Sequence, residues 1–141
     1  MSGVKFTGNV TIPASVENIG SRAFYTSKIT SIIWNTSAFI PSECFQGCPL
    51  SKFVFGKDVS ITGIGANAFS GCSSLLGIYQ YDSNNAEIIK SDWTSLTSIG
   101  SNAFYNCSKL TGTIYLNQNC NYDEETTFYN CKLDRKIYRG V

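Results

Sequence analysis

The chain has 141 residues, a formal net charge of +1 and no histidine. This length is typical of one domain, and an apolar content of 43% provides for a core and argues against a fully disordered chain. The small net charge argues against nucleic acid as a partner. No apolar run reaches the about 20 residues of a membrane span, so we expect no membrane insertion.

The sequence offers little for catalysis. Without histidine, the commonest general base and the usual catalytic triads are missing. No phosphate-binding loop, dinucleotide fingerprint or metal-ligand triad is present either. We therefore expect no enzymatic activity, no cofactor and no metal site.

A motif that ends in phenylalanine returns along the chain. Residues 19–24, 64–69 and 99–104 share the pattern Ile-Gly-x-x-Ala-Phe, and diverged copies end at Phe45 and Phe128. A period of about 20–30 residues is the signature of a solenoid, in which each unit buries its apolar face against its neighbours. A serine or cysteine follows each phenylalanine by three residues: Ser27, Cys48, Cys72, Cys107 and Cys131.

Each motif is followed by a short β-branched or aromatic run, which predicts one strand for every unit. In chain order the predicted strands cover residues 29–34, 50–55, 75–79, 110–116 and 133–138. The Ile-Gly-x-x-Ala-Phe motif predicts the return leg of each coil, with glycine permitting a turn and alanine allowing close backbones. The phenylalanines should form a ladder between layers, made of Phe24, Phe45, Phe69, Phe104 and Phe128.

These residues resemble the BspA-like, or Treponema-type, leucine-rich repeats. Residues 12–24 and the pattern Ala-Phe-x-x-Cys-x-x-Leu at 68–75 and 103–110 carry the resemblance. It implies a repeat solenoid, wound as a right-handed leucine-rich-repeat coil with a short parallel β-sheet on the concave face and irregular turns on the convex face. We predict a single domain over 1–141 with about five units, an insertion near 80–95 and a degenerate terminal unit near 117–141.

The resemblance also implies a function. Related proteins act on the surfaces of bacteria and parasitic protists, so it implies an extracellular or cell-surface location, although no signal peptide is visible in the chain. We expect a non-catalytic module that recognises a protein or glycoprotein through its concave face, in adhesion or host interaction. The alternative is a structural spacer, or a segment of a longer array, that self-associates through its solenoid ends.

Two groups of residues are candidates for contacting the partner. One strand position points outward in every unit, and strands favour apolar and aromatic residues there even without a ligand. This column contains Ile33, Val54, Tyr79, Tyr115 and Tyr138.

The second group, Tyr81, Asp82 and Trp93, lies in the insertion. Insertions between repeats often serve binding. Alternatively, Ile88, Ile89 and Trp93 fold back as a cover over the convex side.

The six cysteines allow three interpretations. Four occupy one repeat position, and Cys44 takes the place of the motif's alanine, as expected for small buried thiols. At least one disulfide remains an alternative, with Cys120, which lies outside the column, as the partner. A zinc site has little support, because the sequence contains no Cys-x-x-Cys pair.

Overall fold

The computed structural model describes residues 6–138, which coil into a β-solenoid of about six turns. These residues form strands and turns without a helix. The strands are β1 (Thr7–Ile12), β2 (Lys28–Trp34), β3 (Lys52–Phe55), β4 (Gly63–Ile64), β5 (Gly77–Tyr81), β6 (Glu87–Ile89), β7 (Ser98–Ile99), β8 (Thr111–Asn117) and β9 (Lys132–Tyr138). The predicted solenoid class is confirmed, and β1 adds a strand before the first phenylalanine motif.

The strands stack mainly in parallel, turn upon turn. The largest sheet has the order β1-β2-β3-β5-β6, in which only β6 is antiparallel to its neighbour. Strands β8 and β9 form a second parallel pair. On the return side, β4 pairs with β7. The insertion therefore enters the strand layer as β6 and divides it into two sheets.

The predicted phenylalanine ladder is confirmed. The rings of Phe24, Phe45, Phe69, Phe104 and Phe128 stack in sequence, with centroids 5.5, 5.2, 5.1 and 5.5 Å apart and interplanar angles of 20° or less. All five are buried, together with the aliphatic residue that opens each predicted strand run: Ile29, Leu50, Leu75, Leu110 and Leu133. The ladder fills the interior between the strand layer and the return turns.

Two positions of the repeated return turn recurrently adopt a left-handed backbone. The residue two before each phenylalanine has φ near +60° in four turns, at Arg22, Glu43, Asn67 and Asn102. The residue two after each phenylalanine has a positive φ in all five turns, at Thr26, Gly47, Gly71, Asn106 and Asn130. The frequent Asn and Gly here reflect the low cost of this conformation for those residues.

The glycine of the Ile-Gly motif has a different role from the predicted one. Gly65 and Gly100 do not adopt a positive φ. A Cβ at Gly65 would lie 2.4 Å from the backbone nitrogen of Ser42, and one at Gly100 would lie 2.3 Å from that of Ala66. Gly65 and Gly100 are therefore needed as glycines because the backbone of the preceding turn lies against them.

The repeated cysteine connects successive turns. The thiols of Cys48, Cys72 and Cys107 donate to the carbonyls of the phenylalanine one turn earlier, at 2.9, 3.1 and 3.1 Å. All six cysteines are free, and burial of Cys44, Cys48, Cys72 and Cys107 agrees with the interpretation as reduced core thiols. Cys120 and Cys131 are half-buried.

Candidate binding surface

The outward side of the five-stranded sheet carries one continuous row of side chains. We call this side the strand face; the family resemblance predicts that it is concave. Register places Ile33 beside Val54 and Val54 beside Tyr79, so three of the predicted column residues lie together. Thr11 extends the row at one end and Ile89 of β6 at the other.

Exposure is uneven along the row. Val54 is only 2% exposed, because it lies between Ile33 and Tyr79, both half-buried; the expectation of an exposed valine is not met. Ile89 is 57% exposed and is the most accessible apolar side chain of the row. The repeat pattern gave no signal for it, because it belongs to the insertion.

An ion pair borders the row. The side chain of Tyr79 lies over Gly77: a Cβ added to Gly77 would be 2.7 Å from the hydroxyl oxygen of Tyr79. The Lys52 ammonium is 5.7 Å from the centroid of the Tyr79 ring and forms an ion pair with Glu87. The hydrogen bond to Glu87 raises the pKa of Lys52. Since the two charges compensate each other locally, the strand face presents no strong field of one sign around the row.

Tyr115 and Tyr138 do not share a row. Tyr115 is 41% exposed in β8 and has Asp92 on one side and Lys136 on the other. Tyr138 pairs with Asn117, two residues further along β8, and its side chain lies outside the described residues. Aligning Ile114-Tyr115 with Ile137-Tyr138 in the sequence would place the two tyrosines side by side, but the hydrogen-bonded register does not.

The insertion forms a hairpin rather than a cover. The Asp82 carboxylate accepts hydrogen bonds from the backbone N–H of Asn84 and Ala86, at 2.8 and 3.0 Å, which closes the loop between β5 and β6. Tyr81 is half-buried at the end of β5. Ile88 is 50% exposed, so neither isoleucine of β6 packs over the convex side.

Trp93 enters the core. It is 4% exposed, its ring centroid is 5.5 Å from that of Phe104, and its indole N–H donates to the carbonyl of Lys90 at 2.8 Å. This position leaves Trp93 no exposed surface for a partner. Its role is to fill the wider turn that the insertion creates.

The return side carries an open groove of about 560 Å³. Its floor consists of small residues, including Gly65, Ala66, Gly100 and Ser101, with Phe39 and Tyr122 also lining it. At Gly65 and Gly100 a larger residue would meet the backbone of the preceding turn. The sequence motif places these small residues, but nothing in the groove points to a ligand.

In the described part of the chain, the structure shows no group of side chains arranged as a reactive site. Burial raises the pKa of every cysteine thiol, which opposes formation of the nucleophilic thiolate. Between residues 6 and 138, no group of three or more Cys, Asp or Glu side chains is placed to hold a metal ion. The same residues contain no helix long and apolar enough to cross a membrane.

A known family matches almost the whole chain. The family described as "BspA type Leucine rich repeat region" matches residues 3–93 and 77–139, with six copies. Six copies are one more than the five phenylalanine motifs and agree with the additional strand β1. No curated protein and no solved structure matches the chain.

Proposed function

The chain belongs to the BspA-type leucine-rich-repeat family, and from this premise we propose that it recognises a protein or glycoprotein partner through the strand face. Repeats of this family generally mediate protein interactions and are generally surface-associated. A role in adhesion or host contact, at the cell surface or after secretion, is part of the proposal.

The observation that supports the proposal is the alignment of Ile33, Tyr79 and Ile89 in one row across hydrogen-bonded strands. Side chains fixed on a sheet lose little conformational freedom on binding, and a tyrosine contributes a large contact area at low entropic cost. Tyr115 adds a second exposed aromatic group beyond the insertion. The row is thus a rigid apolar centre of the kind found in protein interfaces.

Charge on the strand face favours a protein segment over a polyanion. Lys52 is paired with Glu87, and Lys136 lies 3.7 Å from Asp134. The cation beside the row and the cation beside Tyr115 therefore each have an acidic neighbour, with which a phosphate chain would have to compete. An apolar or aromatic segment of a partner would instead bury Ile89 and Tyr79 without displacing an ion pair.

Adjacent residues on opposite faces of β6 allow a sharp test. The binding variant carries Tyr79→Ser and Ile89→Ser, and the control carries Phe39→Ser and Ile88→Ser, which are 48% and 50% exposed in the native chain but lie outside the row. Each purified variant is used to capture proteins from cell-surface extracts, with folding checked by circular dichroism.

The proposal requires a partner that wild type and control retain and that the folded binding variant loses. A partner lost only by the control would place the site elsewhere. Failure of the wild-type chain to capture any partner would favour the architectural alternative, in which the chain acts as a spacer or as part of a longer array.

A further inference from the structure

An apolar cavity and a polar groove meet at the turn that the insertion widens. The cavity has a volume of about 20 Å³, and the open groove beside it has a volume of about 300 Å³. Lys90 and Ser95 line both of them. We propose that this site binds a free α-amino acid with a small apolar side chain, whose carboxylate pairs with Lys90 and whose ammonium pairs with Asp92.

The cavity determines which side chain the ligand can have. Apart from Lys90 and Ser95, every residue that lines it is apolar, including Ile61, Trp93 and Leu96. Since about 10–15 Å³ is enough for one water molecule, the cavity admits one or two methyl groups, which need no hydrogen-bonding partner there. The side chains of alanine and valine therefore suit the cavity, and that of phenylalanine is too large.

Lys90 provides an unpaired cation where the cavity meets the groove. The residue is half-buried, and its ammonium lies 5.8 Å from the centroid of the Phe55 ring. Burial lowers the pKa of Lys90, as expected for an ammonium that is partly removed from water. None of the ion pairs among the described residues includes Lys90. The carboxylate of a ligand in the groove would compensate this charge.

Asp92 provides the opposite charge in the same groove. Its Oδ1 accepts hydrogen bonds from the hydroxyl and the backbone N–H of Thr94, at 2.6 and 2.9 Å. The bond from the Thr94 hydroxyl contributes most to lowering the pKa of Asp92, so the carboxylate stays ionised. No described residue donates to the other oxygen, Oδ2, which is therefore available to an ammonium group.

The two charges are placed for a ligand that carries both signs. Lys90 and Asp92 attract each other electrostatically but form no ion pair. An α-amino acid has its carboxylate and its ammonium on one carbon atom, so it can pair with both residues at once. Ser95 Oγ donates to the carbonyl of Ile61 at 2.7 Å, and its lone pairs remain free to accept from the ligand ammonium.

Hydrogen bonds hold the backbone around both charges. The N–H of Lys90 donates to the carbonyl of Ile78 at 2.9 Å, and its carbonyl accepts from the indole N–H of Trp93 at 2.8 Å. The residues on either side of Asp92 bond to Tyr115 of β8, at 2.8 and 2.9 Å. Since the backbone is already ordered, binding requires little further ordering of the site.

The site arises from the insertion rather than from the repeat. Lys90, Asp92 and Trp93 lie in the insertion, which has no equivalent in the other turns. None of the residues in the row on the strand face lines the cavity or the groove. The site is therefore separate from the surface that we propose for a protein partner, and either proposal can fail without the other.

Calorimetric titration of the full chain with L-valine tests the site. We expect saturable binding of one valine per chain. Glycine lacks the apolar group and L-phenylalanine exceeds the cavity, so each should bind at least about tenfold more weakly. L-Valinamide lacks the carboxylate and N-acetyl-L-valine lacks the ammonium, and each should also bind at least about tenfold more weakly.

Substitution of each charge tests the location. Lys90→Gln and Asp92→Asn remove the charge and retain a polar side chain, and each should weaken valine binding at least about tenfold. The controls Lys109→Gln and Glu17→Gln remove the same charges at exposed positions that line neither the cavity nor the groove. Both controls should bind valine like wild type, and circular dichroism checks the folding of every variant.

The two tryptophans of the chain allow a local measurement by nuclear magnetic resonance. Trp93 lines the cavity, whereas Trp34 is buried elsewhere in the core. Valine should therefore shift the indole N–H resonance of Trp93 and leave that of Trp34 nearly unchanged. Equal shifts of the two resonances would contradict binding in the cavity.

The combined results decide the proposal. Saturable valine binding that is weakened by both charge substitutions and by loss of either ligand charge supports it. Absence of saturable binding at millimolar valine, or equal binding of valine and its single-charge analogues, would overturn it. Wild-type affinity in Lys90→Gln and Asp92→Asn would also overturn it, because valine would then bind at another place.

Discussion

The centre of the phenylalanine ladder should control the stability of the whole solenoid, and Phe69→Ala tests this directly. Phe69 is 1% exposed and stacks between Phe45 and Phe104, with centroids 5.2 and 5.1 Å away. It also makes an edge contact with Phe53 at 5.4 Å. The substitution leaves a cavity that rigid turns on both sides cannot close.

The expected cost follows from these contacts. Truncation of a buried phenylalanine to alanine costs about 3–5 kcal/mol, and three lost aromatic contacts place Phe69 at the upper end of that range. Natural domains are stable by only about 5–15 kcal/mol, so the variant should be close to unfolding at room temperature. The end residue Phe128 stacks on a single ladder ring, Phe104, and Phe128→Ala should cost less.

Urea unfolding followed by circular dichroism measures the effect, with Phe39→Ala as the control. Phe39 is 48% exposed, so its truncation should cost less than about 1 kcal/mol. The reasoning is refuted if Phe69→Ala unfolds at the wild-type midpoint, or if Phe128→Ala is the more damaging of the two. In either case the centre of the ladder would not control the stability of the solenoid.

Three further predictions concern the backbone and the thiols. Gly65→Ala should destabilise the fold by about 1–3 kcal/mol, because the added Cβ would press on the Ser42 backbone. Gly20→Ala should leave the melting temperature of the protein in dilute solution unchanged. Equal effects of the two substitutions would contradict the turn-packing argument. Thr26→Asn should stabilise by about 1 kcal/mol in thermal unfolding, because asparagine tolerates φ near +53° better than a β-branched residue; a lower melting temperature would count against it. When the native protein is labelled with a thiol reagent, the half-buried Cys120 should react before the four buried thiols. Those four remain protonated because burial raises their pKa. Rapid labelling of all six cysteines would refute the burial of these four.

The repeat pattern is sufficient to predict the periodic part of the fold. Each turn of a solenoid contacts only its two neighbours, so equivalent residues meet equivalent residues. For this reason the stacking of Phe24 on Phe45 and the burial of Cys72 follow from recurrence alone. The same argument places Ile33, Val54 and Tyr79 side by side, and the structure confirms that neighbourhood.

Where the repeat period is interrupted, the sequence pattern no longer predicts the contacts, and the tertiary structure determines them. The insertion has no equivalent in other turns, so its contacts determine that Trp93 enters the core and that Ile89 joins the strand face. Hydrogen-bond register, rather than motif alignment, places Lys136 beside Tyr115. The sequence by itself therefore determines the ladder and the turn, because both arise from contacts between identical positions. The outer surface and the two ends of the solenoid depend on residues that have no repeated counterpart, and only the folded structure shows what those residues contact.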